Sequence, residues 1–174
     1  EMYAFSFISA GDFEKCKLDS TKAIKIKNPL GEDYSLMRTD MMPTVMQSIT
    51  TNYNKKNKDV ALFEIGKTYT DVEANIEKGE VPTENLKIAF ALYGENADFY
   101  IVKGIIENIL EVSNIARYQL ERTNKENLHP GRSAEIFIGK DSIASFGEVH
   151  PQVLENYGIG EKVYYAVIDL EKFA

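Results

Sequence analysis

Two apolar runs near the C-terminal end, residues 134–138 and 143–149, are joined only by Gly139-Lys-Asp-Ser. A connection this short, with glycine at its start, is a hairpin connection, so the two runs pair antiparallel. The rest of the chain supplies the partners such a hairpin needs. Residues 3–9 alternate aromatic and β-branched side chains, and residues 23–27 alternate apolar and charged ones before the turn Asn28-Pro-Leu-Gly. Residues 60–69, 86–93, 115–121 and 163–170 also read as strands. Strands and helices do not alternate regularly. That pattern predicts an α+β fold, a mainly antiparallel sheet with its helices on one side.

Helical signals are fewer and clear. Met42, Val45, Met46, Ile49 and Tyr53 recur at helical spacing, Pro43 falls in the first turn, and Thr39 or Asp40 can cap it. This apolar stripe suits the core; its methionine content also makes Met42, Met46, Ile49 and Tyr53 candidates for a subunit interface, because methionine adapts to partners. Asp98 can cap a second helix bearing two adjacent rows, Ile101/Ile105/Ile109 and Val102/Ile106/Leu110. Gly11 to Cys16 suits one helical turn. His150 precedes a short helix with Pro151 first and Gly158 as its left-handed stop. The acidic stretch 71–85, with Gly79 and Pro82, reads as an exposed loop, and residues 1–174 as one domain. The chain enters a strand almost at once and ends without a tail, as a fragment of a longer protein would.

Composition narrows the function classes. A net charge of −7 makes strong non-specific nucleic-acid binding a poor candidate; Lys55-Lys56-Asn57-Lys58 is the one basic run, and it suits a solvated helix end. No apolar run reaches the roughly 20 residues of a membrane helix. The single cysteine, Cys16, has no internal disulfide partner, which points to the cytoplasm.

The residues alone present no active site. His129 and His150 each precede proline, which favours extended turn positions; with one distant cysteine, zinc ligation is disfavoured. Glu64, Glu135 and Glu148 lie in or beside strands, where a buried carboxylate needs a cation such as Arg38 or Arg132. Neither a dinucleotide fingerprint nor a P-loop occurs.

Six segments, in order, resemble the β-subunit family of bacterial phenylalanine–tRNA ligases. They are Met2-Tyr-Ala-Phe-Ser-Phe, Lys27-Asn-Pro-Leu-Gly, Ser35-Leu-Met-Arg-Thr-Asp-Met-Met-Pro, Leu62-Phe-Glu-Ile-Gly, Asp98-Phe-Tyr-Ile-Val-Lys-Gly, and the pair His129-Pro-Gly-Arg-Ser-Ala-Glu-Ile with Gly147-Glu-Val-His-Pro-Gln-Val-Leu. The resemblance implies a class II aminoacyl-tRNA synthetase-like core: an antiparallel sheet flanked by helices, a catalytically inactive relative of the α subunit. It implies an α2β2 enzyme whose α subunit activates phenylalanine with ATP and loads tRNA. ATP and magnesium are expected of the whole enzyme, with no cofactor or metal held by this region, and tRNA is met through the whole enzyme.

Class II chemistry places phosphate-binding arginines in two motifs, where their preorganised charge and bidentate fork act on the triphosphate. By this resemblance Thr70 stands where a catalytic subunit has arginine, and Lys172 at best holds the other arginine's place, without the glycines and beside Asp169. The region is therefore expected to be inactive, with Arg132, Glu135, Glu148, His129 and His150 as scaffold. An independent acid-activating enzyme or a stand-alone RNA-binding module of the same fold are the alternatives.

Overall fold

A computed structural model describes residues 1–70 and 81–173. Its frame is a six-stranded sheet in which every neighbouring pair is antiparallel. The strands are β3 (Val60–Thr70), β4 (Thr83–Tyr93), β5 (Gln119–Arg122), β6 (Leu128–Ile138), β7 (Asp141–Val149) and β8 (Tyr164–Asp169). Their spatial order is β3-β4-β8-β7-β6-β5. A two-stranded sheet of β1 (Phe7–Ile8) and β2 (Leu36–Met37) stands beside it. The helices are α1 (Ala10–Lys15), α2 (Met42–Asn54), α3 (Phe99–Val112) and α4 (Pro151–Asn156).

Helices cover both faces of the sheet, not one. Along β4, Ala89, Ala91 and Tyr93 join α2 and α4 in one core, while Phe90 and Leu92 join α3 in another. β8 divides likewise: Tyr165 and Val167 face α2, and Tyr164, Ala166 and Ile168 face α3. Successive strand side chains point to opposite faces, so a strand buried on both must be apolar throughout. The continuous apolar run at 86–93 is that signature.

Capping follows local chemistry. The Asp98 carboxylate accepts from Ile101 N at 2.7 Å and starts α3. Asp40 accepts from Met42 N at 2.8 Å before Pro43, although the residue at the cap position itself is Met41. Gly158 follows α4 with φ +67°, a left-handed stop. Gly147, φ +148°, lets β7 approach β6: a Cβ there would stand 2.4 Å from the Arg132 carbonyl oxygen. The β6–β7 register shifts between Leu128 and Ser133, a bulge at this close approach.

Several expected boundaries differ. Of residues 3–9 only Phe7–Ile8 is strand, and 23–27 contributes a single bridge, Lys25 to Leu36. Their partner β2 is two residues long, so no ladder can extend. Positions 83–85, expected as loop, belong to β4, where Thr83 pairs with Thr70. Residues 81–82 have no regular structure, and 71–80 lie outside the described residues.

The outer edge of β3 is held at three points. Met2 N donates to Phe63 O at 2.8 Å, Tyr69 N donates to Arg38 O at 2.9 Å, and the Arg38 side-chain Nε donates to Lys67 O at 2.9 Å.

Candidate functional site

β3 inverts the usual pattern of a surface strand. Glu64 and Thr68 face inward and are buried, whereas Phe63 and Ile65 are 42% and 49% exposed. The inward carboxylate is matched by Arg38, 1% exposed, from the segment after β2. Its Nη2 and Nη1 donate to Glu64 Oε1 and Oε2 at 2.9 and 3.1 Å, and Nη1 also donates to Thr44 Oγ1 at 3.0 Å. A planar guanidinium satisfies a carboxylate, a hydroxyl and a carbonyl at once, as a lysine could not. Gly66 leaves the room: a Cβ there would stand 2.3 Å from Arg38 Nη2.

Past α2 the same sheet face is a polar floor, a shallow cavity of about 260 Å³. Lys87, Lys125 and Lys172 line it together with Glu135 and Asp169. Each group already has a partner. Lys87 pairs with Asp169 at 3.7 Å, Lys125 donates to Ser145 Oγ at 2.9 Å, and Lys172 donates to Ser142 O at 2.8 Å. Glu135 accepts from Ser142 Oγ at 2.9 Å, so a serine rather than an arginine serves it. Among the described residues no arginine lines this floor. Thr70 closes β3, its Oγ1 receiving the Asn85 amide at 3.4 Å.

Of the other residues singled out, Arg132 and Glu148 meet each other and do not line the floor. Arg132 Nε and Nη2 donate to Glu148 at 2.5 and 2.8 Å. Burial pushes the Glu148 carboxyl up, but the Arg132 hydrogen bond and charge, helped by Lys162 and His129, outweigh it and hold it below the ordinary value. The histidines share one device. His129 Nδ1 accepts from Gly131 N at 3.0 Å, and His150 Nδ1 accepts from Gln152 N at 3.1 Å. Proline between them has no N–H, so the ring takes up the next one. Among the described residues no three His, Cys, Asp or Glu side chains gather as a metal site would need.

The proposed interface stripe lies inside. Met42, Met46 and Ile49 are wholly enclosed against β4 and β8, and only Tyr53 reaches the surface in part. These methionines fill the core and cannot meet a partner. An exposed apolar surface lies on the opposite face, a concavity of about 440 Å³ between β3 and α3. Phe63 and Ile65 form one wall, and Ile101 and Ile105, 47% and 39% exposed, form the other. The sequence held two signals of it: the second isoleucine row on α3, and the apolar outward positions of β3.

The family model described as the phenylalanyl tRNA synthetase beta chain CLM domain matches residues 1–170. The chain belongs to this family. Similar proteins include the phenylalanine–tRNA ligase beta subunit of Clostridium tetani, 39% identical over 97% of this chain and 21% of the relative. That of Clostridium acetobutylicum is 38% identical over 98% and 22%. The chain thus spans about a fifth of the length of the curated relatives it matches. A solved structure, pyrrolysyl-tRNA synthetase from Desulfitobacterium hafniense, shares the fold with TM-score 0.76 at 13% identity, over 99% of this chain and 61% of that one. Within this CLM domain the segment Ser35–Thr39 and the segment Leu62–Gly66 come together as the two sides of the Arg38–Glu64 pair. The fold is that of a synthetase, while the floor of its sheet is closed by its own hydrogen bonds.

Proposed function

We propose that this chain is a non-catalytic, class II synthetase-like module of a phenylalanine–tRNA ligase β subunit. Its role is to support the α subunit, which joins phenylalanine to tRNA with ATP in an α2β2 assembly. The observation that carries this reading is the floor around Lys172. Its three lysines each reach a protein acceptor, Asp169 and Glu135 repel a triphosphate, and among the described residues no arginine fork faces into it. Electrostatic catalysis needs preorganised donors aimed at developing charge, and lysines held to protein acceptors between two carboxylates are not so aimed. ATP and magnesium do not fit the residues of this floor and belong to the whole enzyme's other parts. tRNA is met through the whole enzyme in the cytoplasm. No described helix is long and apolar enough to cross a membrane.

A supporting module needs a surface to rest on. The concavity of Phe63, Ile65, Ile101 and Ile105 is the face for the α subunit, since apolar area of this kind marks an interaction site. Two measurements test the reading. The chain alone is expected to give no ATP–pyrophosphate exchange with phenylalanine; exchange above the no-protein rate refutes inactivity. Ile101→Glu, on exposed helix surface, is expected to weaken co-purification with the α subunit at least about tenfold, the order expected for a charge set in an apolar interface. Unchanged assembly would remove this face from the interface.

A further inference from the structure

A second cavity, about 430 Å³, opens where the chain leaves α1 and where β5 passes into β6. Lys17, Arg122, Asn124, Lys125, Glu126 and His150 line it. It shares Lys125 with the polar floor but differs in its balance of charge, three cations to one carboxylate. Arg122 gives its Nε to Pro130 O at 3.0 Å, leaving both Nη groups, and Nη2 stands by Gly131 beside the His129 ring. Lys125 has two protons beyond the one directed at Ser145. Lys17, turned outward by a left-handed φ of 54°, has no ion-pair partner among the described residues. His150 receives the Gln152 N–H on Nδ1, so its neutral ring carries the proton on Nε2 as a further donor.

Three cations and an imidazole thus meet one carboxylate, Glu126, in a chain whose net charge is −7. Such a wall suits a ligand made of acceptors and carrying negative charge. We propose that this cavity binds a phosphate group, presented by a nucleotide or by an RNA strand, with Arg122, Lys17, Lys125 and His150 as its donors. The site lies beyond the supporting role proposed above and does not depend on it.

The local field supplies a readout. Burial, then Lys17, then His129 depress the His150 imidazolium, against Glu126. Arg122, at the end of β5, and Lys125, in the β5–β6 connection, also line the cavity. A phosphate seated among these groups reverses the sign, and the His150 titration midpoint rises.

The test follows the imidazole resonances of the 174-residue chain by NMR between about pH 5 and 8. Additions are inorganic phosphate, AMP, or a single-stranded RNA of about ten nucleotides. The expected result is a saturable upward shift of the His150 midpoint by about half a unit. Lys17→Glu and Arg122→Gln, both at exposed positions, are expected to weaken binding about tenfold each. Their thermal melts serve as the folding control. RNA binding tighter than AMP, with a steeper salt dependence, assigns the phosphate to a strand; equal affinity assigns it to a nucleotide. A His150 midpoint unmoved by all three additions, or moved equally in both variants, overturns the proposal.

Discussion

Replacing Glu64 by Gln, or Arg38 by Met, removes one half of a pair that is 3% and 1% exposed. The charge left behind is stranded without water, and loss of one partner of a buried pair costs about 3–5 kcal/mol. The double variant Arg38→Met/Glu64→Leu strands no charge. It still leaves Thr44 Oγ1 and the Lys67 carbonyl without the donors that reach them at 3.0 and 2.9 Å. At about 1 kcal/mol for each lost hydrogen bond, the double variant should sit roughly 2 kcal/mol below the parent, well short of the sum of the singles. Urea unfolding followed by circular dichroism measures this directly. With a slope of about 2 kcal/mol/M, each single variant should lower the midpoint by roughly 2 M and the double by about 1 M. Two strictly additive substitutions, or singles costing under about 1 kcal/mol, would refute the claim that this pair ties β2 and α2 to β3.

Gly147→Ala should destabilise by more than about 2 kcal/mol in the same assay, since its Cβ would strike Ser133 Cα at 2.5 Å in a backbone region disfavoured for alanine. The Glu148 carboxyl is held below its ordinary value, so its pairing stabilises the fold above the unfolded carboxylate's value and is lost as pH falls through the folded one. Arg132→Ala should therefore flatten the loss of stability on acidification below about pH 4.5; an unchanged acid limb would count against it. Burial pushes the Cys16 thiol up to about 12, against its contact with the Tyr157 hydroxyl. At pH 8 a disulfide reagent should label it only on unfolding, in contrast to a surface thiol.

The elements most legible in the sequence were those fixed by neighbours. Gly139-Lys-Asp-Ser set a hairpin, Asp98 set the start of α3, and Pro151 with Gly158 bounded α4. Each rests on chemistry within a few residues. What escaped depends on pairing across distance. Arg38 and Arg132 were candidates to serve the strand carboxylates, but Arg38 and Glu64 lie 26 positions apart, and no spacing rule says which carboxylate each arginine meets. The start of β6 at Leu128 was hidden because His129-Pro-Gly interrupts the alternation, and only the bulge opposite Gly147 lets the strand run through it. Two-sided helix cover was encoded in the unbroken apolar run of β4, yet such a run does not say which element lies on which face. The candidate site was legible only by resemblance, because the engagement of Lys87, Lys125 and Lys172 depends on serines and a carboxylate brought in from other strands.

The outer edge of β3 bears on how this domain can be recognised at all. An open sheet edge invites another chain to extend the sheet, with backbone groups as the template. Here Met2, the Arg38 backbone and the Arg38 side chain already occupy three of those groups. At the far end β5 has only four residues, all exposed and ending in Glu121 and Arg122. Growth of the sheet is stopped at both ends, by occupancy on one side and by brevity and charge on the other. Strand addition is therefore disfavoured, and face-on recognition through side-chain shape is the mode this domain's sheet edges favour.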